Sequence, residues 1–289
     1  MSPQFSDDDK FVYLTAGSEA RVKIFVLPVP DSEPTSDKEL PLPLKLTDEH
    51  TISAIQPLSG GRLLYSQNSF TKPNDVYVVH GLDQLPTSWD SWDYDTKGLS
   101  VQSFRVSQLT RFTEEELKGK YLDAGEEFYF DGAAERKIQG WILKPKGYDK
   151  DDRKKWAPLL LIHGGPQGVW GDGWSTRWNA NGMLRTREAR LQRTNSRLTV
   201  FAQQGYFVVA INPTGSTTFG QGIRSQSLSL LRLVYPVFPP DLTDAVKADY
   251  GGKPFIDLRK GWQHILDNYP QVQRLALQLY FRPELGPTG

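Results

Sequence analysis

The 289 residues contain no cysteine, which excludes disulfides, thiolate metal sites and a cysteine nucleophile. Histidine is scarce as well. His50, His80, His163 and His264 lie far apart, with neither HExxH nor HxH spacing, so neither zinc nor any other metal is expected. Neither sign of charge is in excess: 34 basic residues meet 34 acidic ones. That balance argues against nucleic acid or a membrane surface as a partner held by bulk electrostatics. No apolar run reaches the length of a membrane span. The amino terminus, Met1-Ser-Pro-Gln-Phe-Ser-Asp-Asp-Asp, has no basic stretch followed by an apolar one, so no signal peptide is expected in this chain. No Asn-x-Ser/Thr sequon occurs, because Asn212 is followed by Pro213.

What is present suits a folded core: 38% hydrophobic residues and 12% aromatic ones, including 8 Trp. Residues 1–113 read as β structure that repeats. Phe11-Val-Tyr-Leu and Val22-Lys-Ile-Phe-Val-Leu are strand-like, with a turn expected at Ala16-Gly17-Ser18. The pattern returns at Leu63-Leu-Tyr-Ser and Val76-Tyr-Val-Val, and Lys10-Phe-Val-Tyr aligns with Arg62-Leu-Leu-Tyr 52 residues on. A period near 50 with several short strands per unit predicts about two propeller blades, the alternative being paired hairpins in a small sandwich. Two blades cannot close a ring.

From Glu126 the pattern changes. Glu127-Phe-Tyr-Phe and Ile138-Gln-Gly-Trp-Ile-Leu form a hairpin-like pair around Asp131-Gly132. Leu159–Ile162 and Tyr206–Ile211 fit strands buried on both faces of a parallel sheet. Val200–Gly205 reads as helical. A longer helix is expected from Pro254, with Phe255, Leu258, Trp262, Ile265, Leu266 and Tyr269 on one apolar face. Asp257 and Asp267 fall on its solvated side, and His264 at a mixed position. Strand and helix in alternation predict a doubly wound α/β unit.

His163-Gly164-Gly165-Pro166 directly follows a buried strand. Glycines there allow a sharp turn that aims N–H groups into a pocket, as one side of an oxyanion hole. The plain alternative is a Gly-Pro turn. Ser216, in Gly-Ser-Thr-Thr, and Ser175, in Gly-Trp-Ser-Thr-Arg, are weak nucleophile candidates, since loop serines are commonly turn formers.

Longer motifs are more specific. Lys118-Gly-Lys-Tyr-Leu-Asp-Ala-Gly-Glu-Glu-Phe-Tyr-Phe, Gly140-Trp-Ile-Leu-Lys-Pro, Leu161-Ile-His-Gly-Gly-Pro-Gln-Gly, Phe207-Val-Val-Ala-Ile-Asn-Pro-Thr-Gly-Ser-Thr-Thr-Phe-Gly and Gly251-Gly-Lys-Pro-Phe-Ile-Asp together resemble the prolyl oligopeptidase family of serine peptidases, in particular its secreted fungal dipeptidyl-peptidase branch. The resemblance covers most of residues 1–181, 200–221 and 241–272. It implies an α/β-hydrolase domain, incomplete here over 114–289, preceded by the last blades of a β-propeller over 1–113. It further implies peptide substrates, release of amino-terminal dipeptides, secretion and no cofactor. The family's nucleophile sits in G-x-S-x-G after the strand that follows the Trp262 helix. No G-x-S-x-G occurs in these residues, and the family's acid and histidine come later still, so the chain as written is expected to lack the whole triad and to be inactive. A non-catalytic remnant acting as a binding module is the alternative.

Segments 182–199, 222–240 and 273–289 depart from the family pattern. Together they hold nine arginines and no lysine, whereas the other 235 residues hold 8 Arg and 17 Lys. The first two read as translated introns of 54 and 57 nucleotides (three times 18 and three times 19), and the third as a frameshift or another such misreading. The expected consequence is a sheet with an unpaired edge where the nucleophile strand belongs, and poor solubility.

Overall fold

The computed structural model describes residues 3–30, 41–165, 167–175, 201–219, 242, 244–246, 249, 251–274 and 278–281. Segments 182–199 and 222–240 lie outside the described residues, as does most of 273–289. The chain divides into two compact units, Met1–Lys118 and Gly119–Gly289.

The first unit holds two four-stranded antiparallel sheets, each ordered as the chain runs. One comprises β1 (Gln4–Phe5), β2 (Phe11–Ser18), β3 (Arg21–Pro28) and β4 (Leu44–Lys45). The other comprises β5 (Thr51–Leu58), β6 (Arg62–Asn68), β7 (Asp75–His80) and β8 (Arg105–Gln108). The aligned stretches of the repeat fall on β2 and β6, the second strand of each sheet. Phe11 and Tyr13 on one, Leu63 and Tyr65 on the other, are buried in one shared cluster with Ile24, Val26, Val79 and Trp92. Burial pushes the Tyr13 and Tyr65 phenols up to about 12.

The first turn differs from expectation. Gly17 lies within the β2–β3 ladder opposite Val22, and the turn is Glu19-Ala20, with φ of 52° and 57°. A two-residue hairpin turn needs positive φ at both central positions to match strand twist. Here two non-glycine residues accept that conformation, with Glu19 paired to the buried Lys23 ammonium at 3.0 Å.

The second unit is built on a five-stranded mixed sheet in the order β13 (Gln278–Phe281), β11 (Ala157–Ile162), β12 (Tyr206–Asn212), β10 (Lys137–Leu143) and β9 (Glu126–Asp131). β9 and β10 form the antiparallel hairpin, and β10 continues antiparallel to β12. β11 runs parallel to β12, and both are buried along most of their length. The 200–205 stretch is only a three-residue 3-10 turn, Ala202–Gln204, closed by Gly205 at φ 88°.

The far edge of β11 is paired, contrary to expectation. β13 lies parallel to it, with Leu159 opposite Gln278 and Ile162 opposite Phe281. A short segment of β-forming residues inside the departing tail takes the ladder hydrogen bonds that would otherwise be open.

Helix α1 (Lys253–Asn268) packs against β9 and β10, with Pro254 in its first turn. Its buried residues are Pro254, Asp257, Gly261 and Ile265, while Phe255 is 57% exposed. The buried stripe is therefore rotated from the one the apolar residues suggest. Gly261 sets it, because a Cβ there would come within 2.6 Å of the Phe130 ring and 2.7 Å of Ile211. The helix backbone sits against the sheet, and His264 stacks on Phe128 at 5.6 Å.

Candidate active-site loops at the carboxyl ends of β11 and β12

In a parallel sheet, ligands and chemistry gather at the carboxyl ends of the strands. β11 and β12 end side by side, and their loops, 163–168 and 213–219, are joined by hydrogen bonds. His163 Nε2 lies 3.0 Å from Ser216 Oγ, and the Thr217 amide donates to the Gly168 carbonyl at 3.0 Å. His163, Gly164 and Gly165 thus sit in one loop beside Ser216; Pro166 lies outside the described residues.

The glycines are required by space. Gly165 has φ 129°, and a Cβ on it would meet the Gln167 nitrogen at 2.9 Å. A Cβ on Gly168 would strike the Gly164 carbonyl oxygen at 2.7 Å and His163 Nδ1 at 2.8 Å. The loop folds back on itself and on the imidazole, so larger residues would open it. Neither the Gly164 nor the Gly165 amide donates to another described residue.

Ser216 is the residue through which the two loops meet. It is fully buried, and its hydroxyl has one proton to give. The Pro213 carbonyl, which can only accept, takes that proton at 2.6 Å. His163 Nε2 contacts the same Ser216 Oγ at 3.0 Å. His163 Nδ1 faces the Gly164 carbonyl oxygen at 3.1 Å. The pair ties two loops together. Ser175 lies in irregular chain with no strand leading into it.

Beneath the loops lie polar groups that a one-dimensional reading misses. Asp257, expected on the solvated face of α1, is fully buried. Its Oδ1 accepts from the Ala133 amide at 2.6 Å and its Oδ2 from the Thr214 amide at 2.8 Å. One carboxylate thereby fixes the β9–β10 turn and the loop that carries Ser216 to the same helix. Asn212, at the end of β12, accepts from the Trp170 amide at 2.7 Å and donates to Gln139 Oε1 at 2.6 Å and to the Trp170 carbonyl at 2.9 Å. Trp141 Nε1 donates to that carbonyl at 2.9 Å, so the stretch after Gly168 is pinned to the sheet. The signal for Asn212 was its place at the end of a buried strand. For Asp257 it was a lone carboxylate three residues after Pro254, on the stripe through Gly261.

His264 takes no part in these loops. Its burial against Phe128 and Phe130 lowers its pKa, an effect partly offset by nearby Asp267. Among the described residues no three His, Asp or Glu side chains are grouped as metal ligands.

No protein-family profile matches the chain. Individual proteins do. Dipeptidyl-peptidase 5 of Arthroderma otae is 32% identical over 274 residues, covering 94% of this chain and 28% of the relative. The probable dipeptidyl-peptidase 5 of Arthroderma benhamiae is 34% identical over 273 residues, covering 93% and 28%. The chain therefore spans a little over a quarter of the length of these relatives. In fold it is similar to the solved acylaminoacyl peptidase of Pyrococcus horikoshii, with a TM-score of 0.62 at 18% identity, over 97% of this chain and 33% of that one. No helix among the described residues is long and apolar enough to cross a membrane. Alignment along nearly its whole length, through the motifs that build the two loops, makes this chain a relative of the dipeptidyl-peptidases 5.

Proposed function

We propose that the chain is one portion of a secreted serine peptidase that releases dipeptides from the free amino termini of peptides. In this reading residues 1–113 are two β-propeller blades. Residues 114–289 are the amino-terminal part of an α/β-hydrolase, with His163, Gly164, Gly165 and Pro166 as the oxyanion-side loop. The observation that carries it is the glycine loop at the carboxyl end of β11, whose Gly164 and Gly165 amides have no acceptor among the described residues. Such amides stabilise the oxyanion of acyl transfer, each donor typically contributing roughly a hundredfold to a thousandfold in rate.

These 289 residues supply no nucleophile of their own, since G-x-S-x-G is absent and the Ser216 proton is held by Pro213. The polypeptide alone is expected to leave a dipeptidyl-p-nitroanilide uncleaved. Turnover by it that disappears in Ser216→Ala would overturn the reading. Segments 182–199 and 222–240 are interruptions of the family sequence, and transcripts that retain both would count against that.

A further inference from the structure

We propose that the first unit carries a binding site for a small carboxylate with an apolar body, in a cavity of about 550 Å³ beside β7 and β8. The volume lies within the range of about 300–1,000 Å³ usual for small-molecule sites. His80 ends β7, Arg105 opens β8, and the two are directly paired across the antiparallel ladder. Direct partners leave the same face of the sheet with Cβ atoms about 5 Å apart. Both line the cavity, with Gln84 and Leu85 from the turn after β7 and Leu99 and Phe104 from the chain before β8.

The donors there have nothing to bind. The exposed Arg105 guanidinium makes no hydrogen bond or ion pair with any described residue. No carboxylate is among the described residues lining the cavity. A guanidinium presents a planar fork that fits a carboxylate through two parallel hydrogen bonds, and the neighbouring Gln84 amide adds donors. Leu85, Leu99 and Phe104 supply the apolar wall, which a bare hydrated anion would not use. Charge and apolar surface meet in one cavity, and a ligand with one carboxylate on a hydrocarbon or aromatic body satisfies both. The site stands on residues 80–105 alone and does not depend on the hydrolase loops.

The test is calorimetric titration of the full 289-residue chain with 3-phenylpropionate, 3-phenylpropanamide and inorganic phosphate. Saturable binding of 3-phenylpropionate is expected, with the neutral amide weaker by about tenfold or more, the loss anticipated for a charge-assisted pair. Arg105→Gln should weaken 3-phenylpropionate similarly, and Arg105→Lys, which keeps the charge but not the fork, by less. Circular dichroism of the same samples identifies any variant that has lost its sheets, in which case the unmodified chain's preference for carboxylate over amide decides. Absence of saturable binding, equal binding of carboxylate and amide, or phosphate binding as well as 3-phenylpropionate would each overturn the proposal.

Discussion

The two units solve the same problem, burying β-sheet, in opposite ways. In the first, every strand pairs with its neighbour in sequence, and alternate residues such as Phe11 and Tyr13 point into one apolar cluster. In the second, the order β13-β11-β12-β10-β9 brings distant segments together, and the central strands are buried on both faces. A sheet covered on both sides cannot solvate the ends of its loops, so Asp257, Gln139 and Asn212 serve as buried acceptors and donors. The meanders also bury polar groups, such as Asp75, which accepts from Thr110 Oγ1 at 2.9 Å and from the Phe112 amide at 3.0 Å, but these join segments within one sheet and its edge. The difference teaches where chemistry can be placed: crossover topology collects loops of remote sequence at one sheet end, and buried polar groups hold them there.

The contrast is sharpest in how each unit should fail. Trp92→Ala in the first unit removes a fully buried indole and should cost about 3–5 kcal/mol through the cavity it leaves. Asp257→Ala in the second removes few apolar contacts but strands the Ala133 and Thr214 amides, for about 2–5 kcal/mol. Urea unfolding followed by circular dichroism measures both. If Asp257→Ala proves neutral, the carboxylate does not organise the loops. A smaller effect separates two glycines near the same helix. Gly261→Ala pushes a methyl into Phe130 and Ile211 and should cost about 1–3 kcal/mol. Gly251→Ala meets nothing within 4 Å and should stay within about 0.5 kcal/mol, so equal losses would refute the close approach of α1 to the sheet.

Acid should weaken the second unit in two small steps. His264 has a lowered pKa because burial disfavours its cation, so its neutral form belongs to the fold. Its contribution is complete above the ordinary 6.5 and falls as pH drops through the lowered value. Glu126 is also lowered, first by its hydrogen bond from Lys144 and then by that from Tyr269. Its contribution is complete above the ordinary 4.5 and is lost as pH falls through its folded value. Both groups are partly exposed, so the shifts are modest. Urea midpoints at pH 7, 5 and 3 should decline in that order, and a profile flat over this range would contradict the assignment.

Much of this architecture was legible in one dimension wherever a residue type has a single physical use. The continuous apolar runs at 159–162 and 206–211 became β11 and β12, and Asp131-Gly132 marked the turn between β9 and β10. The glycines of the 163–168 loop were legible because little else can turn so sharply after a buried strand. Asp257 was not, since an aspartate on a helix usually faces water and its two partners lie 124 and 43 residues away. Nor was the exposure of Phe255, because the packing of the Gly261 backbone, rather than the largest apolar side chains, sets the face of α1. The pairing of β13 depends on an open edge elsewhere in the chain, which local pattern cannot reveal.

In the proposed function, these residues form the oxyanion side of a hydrolase site without its nucleophile. Treating the 289-residue chain with a fluorophosphonate and weighing it intact tests this most directly. The account predicts an unchanged mass, because Ser216 is buried and gives its proton to the Pro213 carbonyl. A stoichiometric adduct that maps to Ser216 or Ser175 would contradict it.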